Sequence, residues 1–224
     1  MSNNVPWVIV AGGFHQRGGM DRANAALAAY LLGRGTPVHL VGHEIDRSLA
    51  QHPLAVTHQV ARPRAMPAAA ERRLSRTGMR VARDVTAATP GARVVVNGGN
   101  CPWPDVNWVH AVHAAWPVCD PGAPWWGRLR NRRLKSQARL REFTALSNAR
   151  VIIANSNATR RAVLDRVGLT PERVHTVYLG SDPTWDLPDA TERAASRAAF
   201  ELPQDVPVVV FVGALGFDIN KGFD

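Results

Sequence analysis

A chain of 224 residues, 46% hydrophobic and 20% charged, has globular composition and the length of one large domain or one and a half ordinary ones. No apolar run reaches the roughly 20 residues needed to cross a bilayer, and two cysteines, Cys101 and Cys119, fit neither a disulfide framework nor a zinc spacing. The net charge of +9 gathers in Arg72–Arg83 and Arg128–Arg141, which implies either an anionic partner or arginine-decorated, solvated helix faces.

The N-terminal stretch MSNNVPWVIVAGG lacks a basic n-region and runs directly into a strand, so the expectation is no signal peptide, free thiols and a cytoplasmic location. A strand is predicted over Trp7–Gly12, then a glycine loop, then a helix over Asp21–Gly35 whose Ala25, Leu27, Ala28, Leu31 and Leu32 follow the 3.6 period. Strands at Pro37–Gly42 and Leu54–Val60 precede a helix at Pro67–Ala88, and strands at Ala92–Gly99 and Val106–His113 follow it. A Pro/Trp/Gly-rich loop over Ala114–Gly127 leads to a basic helix from about Trp126 to Asn148. Next come a strand at Arg150–Ser156, a helix at Ala158–Leu169 capped by Ser156 or Asn157, and a strand at Val174–Gly180. A helix at Asp189–Phe200 and a strand at Val206–Gly213 complete the series.

Apolar strands separated by helices predict an α/β fold, a parallel sheet covered on both faces. Ligands of such sheets lie outside the carboxyl ends of the strands. Those ends carry GGFHQRGG, GHE, NGGN, HAVH, NSN and YLGSD, which makes them the expected functional rim.

The loop GGFHQRGG with the following helix start offers backbone N–H groups and a helix dipole to an anion. It matches neither the dinucleotide fingerprint nor the P-loop, and the plainer reading is a tight turn that needs glycine. His110 and His113 stand at a strand end, each either a contact to a substrate oxygen or a structural histidine, with no metal set around them. In the basic helix, Trp125, Trp126, Leu129, Leu140 and Phe143 accompany Arg128, Arg130, Arg132, Arg133, Lys135, Arg139 and Arg141. That mixture suits a membrane or acceptor-binding surface. A helix packed on the sheet with its cations in water is the alternative, and Arg133 and Ser136 interrupt the apolar face.

In order along the chain, GGMDRANAALAAYLLGRGTPVHLVGH, WVHAVH, VIIANSNATRRAVLD, VYLGSD and FVGAL…KGFD resemble a family 4 retaining glycosyltransferase of the GT-B fold. The resemblance implies a Rossmann-like acceptor domain over residues 1–187, a linker and helix over 188–206, and the first strand and loop of a truncated donor-nucleotide domain over 207–224. It implies that Gly18 and Gly19 approach the donor diphosphate, that His110 or His113 contacts the transferred sugar, and that Lys221 pairs with donor phosphates. Asp182 falls on a structural turn. Ala214 departs from the family, which usually has arginine there, and Leu179 stands where asparagine is common.

The implied reaction moves a sugar from a nucleotide-sugar to an acceptor hydroxyl with retention, without a metal or other cofactor; the nucleotide-sugar is a co-substrate. The acceptor is a carbohydrate or a lipid-linked molecule, with an anionic membrane surface as a further partner. A non-catalytic glycan-, lipid- or partner-binding module and a sugar-nucleotide epimerase are the alternatives. No nucleic-acid motif accompanies the charge, so nucleic acid is not an expected partner.

Overall fold

The computed structural model describes residues 5–63, 66–116, 124–180 and 186–210. Two compact units divide the chain, residues 1–178 and 179–224.

The first unit opens with β1 (Trp7–Val10), a two-residue strand β2 (Gly13–Phe14) and α1 (Gly19–Gly33). β3 (Val38–Gly42), a short β4 (Glu44–Ile45), the one-turn α2 (Arg47–Ala50) and β5 (Ala55–Gln59) follow. The long α3 (Pro67–Ala88) leads to β6 (Arg93–Asn97), a 3-10 turn at Gly98–Asn100 and β7 (Val106–Val109). After a second 3-10 turn at His113–Ala115 come α4 (Trp125–Asn148), β8 (Val151–Ala154), α5 (Asn157–Val167) and β9 (Val174–Thr176). In the second unit, α6 (Ala190–Ala199) starts at a capping box in which Asp189 and Glu192 satisfy each other's backbone N–H groups.

Seven strands form one parallel sheet in the order β5-β3-β1-β6-β7-β8-β9. The α/β expectation therefore holds. The chain runs outward from β1 in one direction, then returns to β6 and runs outward in the other. This places a topological switch point between β1 and β6, where open α/β sheets bind ligands.

Alternation along the strands divides the core. Ile9 and Leu40 pack on Ala25, Ala28, Leu31 and Leu32 of α1. Val8, Val10, Val94 and Val96 pack on Leu74, Val81 and Val85 of α3, on the other face. A third cluster joins Val109, Ile152 and Val174 to Leu146 of α4 and Val163 of α5.

Several predicted boundaries shift. The strand expected to run to His113 ends at Val109, because the carbonyl of His110 takes a side-chain donor from Asn155 rather than a ladder bond, at 3.2 Å. The strand expected to reach Gly180 ends at Thr176, beyond which Val177–Leu179 are exposed. The last predicted strand is not formed in its described part: 207–210 pair with no strand among the described residues, and Val209 is 97% exposed. The remainder of that strand lies outside the described residues. Ser156, not Asn157, caps α5, accepting from the Thr159 N–H at 3.1 Å.

Candidate functional site

The rim begins where β1 ends. The β2–β4 pair sets Gly13 opposite Glu44 and buries Phe14, so the glycine loop turns over the end of the sheet. Gly18 adopts φ +80°, a left-handed conformation that only glycine takes without strain, and α1 starts at the next residue. Asn24 on α1 ties the loop down by donating to the Gly13 carbonyl at 3.3 Å.

Four side chains meet at this loop. His15 Nδ1 accepts from the Arg17 N–H at 3.3 Å, which puts the neutral ring's proton on Nε2. That nitrogen lies 3.7 Å from Asp21 Oδ2 and 3.7 Å from Glu44 Oε2, and Arg17 pairs with Glu44. Asp21 folds back over the loop: a Cβ placed on Gly13 would lie 3.0 Å from its Oδ1, and one on Gly18 3.9 Å from its Oδ2. The N-terminus of α1 thus already holds a carboxylate, which stabilises the helix dipole and must be answered by any anion that enters.

Across the switch point stand β6 and β7. Register pairs Asn97 with Trp108, so these two share a face, and alternation places them on the α1 side together with Val95 and Ile9. The rings of Trp108 and His110 lie 4.5 Å apart between centroids. Burial pushes the His110 imidazole below the ordinary value of 6.5, opposed by the Asp21 carboxylate. His110 is therefore neutral near pH 7 and faces the Asp21 side of the rim.

Buried polar atoms without a hydrogen-bond partner, among the described residues, collect at this end of the sheet. They are Asn24 Oδ1, His43 Nε2, Asn97 Oδ1, Asn107 Oδ1, Trp108 Nε1, His110 Nε2 and Thr176 Oγ1. Asn97 and Asn107 use their amide N–H groups on the carbonyls of Trp108 and Gly98, leaving acceptor oxygens unpaired. Buried polar groups left unpaired by protein atoms are costly.

His113 has a different place. It is exposed and begins the 3-10 turn, and its backbone N–H goes to Glu142 of α4 at 3.0 Å. Burial holds the Glu142 carboxyl above its ordinary range, opposed by the His113 and Ala114 N–H groups, the His113 ring and Arg139. The structure thus brings Gly18, Gly19 and His110 to one end of the sheet and ties His113 to the basic helix.

That helix starts at Trp125 with its apolar residues spread around the axis rather than gathered on one face. Trp125 and Trp126 are 71% and 56% exposed, and Arg128, Arg132 and Arg133 are exposed beside them, with Lys135 partly buried. Leu129, Arg132, Arg133, Ser136 and Gln137 line an open groove of about 420 Å³. Among the described residues no helix is long and apolar enough to cross a membrane. Lys221, Asp182, Ala214 and Cys119, and the side chain of Arg130, lie outside the described residues.

The His15, Asp21 and Glu44 group and the carboxylate of Glu142 are absent from the sequence reading. GHE marks Glu44 as a rim residue, but no spacing links positions 15, 21 and 44; only the β2–β4 pairing does.

A parallel sheet switching at β1/β6, with a glycine turn into α1, defines a Rossmann-like α/β domain. Residues 17–185 match the domain Glycosyltransferase Family 4, and the chain belongs to that family. It is 41% identical over 64 residues to the D-inositol 3-phosphate glycosyltransferase of Kineococcus radiotolerans, a match covering 29% of this chain and 14% of that one. Its fold is similar to WaaG, a glycosyltransferase involved in lipopolysaccharide biosynthesis, with a TM-score of 0.54 and 15% identity over 88% of this chain and 51% of WaaG. The chain has the fold of one half of a GT-B enzyme and spans about half the length of that structural relative.

Proposed function

We propose that this chain is the acceptor-side half of a retaining glycosyltransferase, in which His110 contacts the sugar being transferred. The observation that carries the choice of histidine is the buried, unpartnered Nε2 of His110, beyond the end of β7 and within the field of Asp21. A neutral imidazole there can hydrogen-bond a sugar hydroxyl, whereas the His113 main chain is committed to α4.

In this reading the donor is a nucleotide-sugar, and Gly18 and Gly19 approach its diphosphate. Lys221 supplies a point charge to the phosphates. The leaving diphosphate takes the proton of the acceptor hydroxyl as the sugar–phosphate bond breaks and the new glycosidic bond forms. Backbone N–H groups and cations then stabilise the departing charge.

The test is release of nucleoside diphosphate and sugar transfer from a panel of nucleotide-sugars, by the chain together with any sequence that continues it. His110→Ala is expected to lower turnover by about 100-fold or more, the scale of a lost transition-state contact, and His113→Ala by less than 10-fold. The reverse order would overturn the assignment.

A second proposal concerns the exposed N-terminal half of α4. Its tryptophans and arginines suit contact with an anionic lipid surface or a lipid-linked acceptor, each basic residue adding about 1 kcal/mol near such a surface. Because the apolar residues are not segregated, contact through the cations and the two tryptophans fits better than a helix lying in the membrane plane. Flotation with phosphatidylserine vesicles should be lost when Arg128, Arg132 and Arg133 become glutamine; absence of binding by the wild type would remove this proposal.

A further inference from the structure

We infer that Glu142 is a positioning residue: it fixes the main chain on the carboxyl side of His110, and through it the place of that histidine on the rim. The inference rests on the reading of His110 given above.

Glu142 is 1% exposed on α4, where the helix crosses the 3-10 turn that follows β6. A buried carboxylate persists only where its oxygens find donors. Both do: one oxygen accepts from the His113 N–H at 3.0 Å and the other from the Ala114 N–H at 3.3 Å.

One turn back on the same helix, Arg139 grips the same segment through its acceptors. Its Nε donates to the His113 carbonyl at 3.2 Å, and a terminal nitrogen donates to the Trp116 carbonyl at 2.7 Å. Residues three apart on a helix lie on one face. Glu142 and Arg139 therefore form a clip that holds both the donors and the acceptors of residues 113–116.

The other end of the segment is held as well. Asn155 donates to the His110 carbonyl at 3.2 Å. Only Ala111 and Val112 separate the two grips, and Val112 is buried in the core. No strand ladder reaches beyond Val109 among the described residues, so these side chains set the backbone of His110.

The chemistry asks for a carboxylate. A glutamine at 142 would fill the same volume, but its –NH₂ would face one of the two N–H donors. Glu142→Gln therefore keeps the packing and breaks the clip, which separates positioning from bulk.

The experiment is NMR on the chain as it stands, wild type against Glu142→Gln and Arg139→Gln, following amide exchange and the His110 ring resonances. In Glu142→Gln the His113 and Ala114 amides are expected to exchange about 10- to 100-fold faster, the loss of one charged hydrogen bond. The His110 ring resonances and titration midpoint should move, while the amides of β1 and β3 stay as protected as before. Arg139→Gln, at the more exposed end of the clip, should move the same signals by less, and it decides the matter if Glu142→Gln does not fold. Unchanged exchange and unchanged His110 resonances would overturn the inference. So would a loss of protection spread evenly over the sheet, which is the mark of a packing role alone. These readouts do not depend on turnover, so a failure of the sugar-transfer reading remains separately visible in the His110→Ala assay.

Discussion

Gly99 offers a direct test of how closely the basic helix rests on the rim. A Cβ at this position would lie 3.0 Å from the Glu142 backbone N, 3.3 Å from its Cα and 3.4 Å from the Arg141 carbonyl carbon. These are main-chain atoms of a helix, so no rotamer change can make room. Forcing one carbon into such a contact costs about 1–3 kcal/mol. Against this, Gly→Ala removes freedom from the unfolded chain and returns about 0.4–1 kcal/mol. Overpacking wins, and the net loss for Gly99→Ala is about 1–2 kcal/mol, a fall in Tm of roughly 2–8 °C for a chain of this size. Gly33→Ala is the control, because a Cβ there meets nothing within 4 Å, and its Tm should rise by roughly 1–4 °C. Thermal unfolding followed by circular dichroism reads both. A Gly99→Ala protein as stable as wild type would show that α4 lifts off the Gly98–Asn100 turn without cost, which would remove the basis for treating the helix as a fixed support.

Acid should destabilise the fold from about pH 6.5 downward. Burial lowers the pKa of His39, His58 and His110, so the unfolded chain binds more protons. The stability their neutral forms contribute is full above 6.5 and is lost as pH falls through the lowered values. His39 Nδ1 and His58 Nε2 meet at 3.1 Å in a hydrogen bond between β3 and β5. His58→Gln should therefore flatten the fall in urea midpoint between pH 7 and 5, and an unchanged slope would count against it. Glu142, raised by burial, works in the opposite sense at lower pH. Asp21→Asn should move the His110 midpoint further down, since Asp21 supplies the opposing charge; NMR titration showing no change or a rise would contradict the shared site. The Cys101 thiol is pushed up to about 12 by burial, so iodoacetamide at pH 8 should leave it unlabelled until the protein is denatured, as peptide mass spectrometry would show. Arg173→Ala should cost about 2–3 kcal/mol, read as a Tm lower by roughly 4–12 °C, because its guanidinium serves the Leu146, Ser147 and Ala149 carbonyls at the end of α4.

The sheet was legible in the sequence because its inner strands are largely buried and read as unbroken apolar runs such as WVIV and VIIA. Strand ends were less legible. HAVH continues the apolar pattern past Val109, yet Asn155 intercepts the next carbonyl, and that hydrogen bond joins positions 45 residues apart. The same limit hid the chemistry. His15, Asp21 and Glu44 converge because a two-residue parallel pair folds the glycine loop over β4, and no local pattern encodes that pairing. Glu142 sits in a run of basic and polar residues that gives no sign of its burial. It is buried, and its partners lie 28 and 29 residues away. Periodicity reports the burial of apolar side chains, whereas a rim is built from polar groups whose burial depends on distant donors.

The basic helix joins these threads. With cations and apolar residues mixed around its axis, α4 has little amphipathic reason to dock, and at 24 residues it is about 36 Å long. Its C-terminal half is held by other means. Ala145 and Leu146 are fully buried, Glu142 and Arg139 grip the segment after His110, and Arg173 caps the final carbonyls where a cation also favours the helix dipole. The N-terminal half carries exposed Trp125, Trp126, Arg132 and Arg133. Arginine thus serves two purposes along one helix. Toward the C-terminus Arg139 bonds to backbone carbonyls and supports the fold; toward the N-terminus Arg132 and Arg133 are exposed, and an exposed charge adds little stability. Stability accounts for Arg139, and the outward pair Arg132 and Arg133 is the part of the helix on which the proposed anionic contact rests.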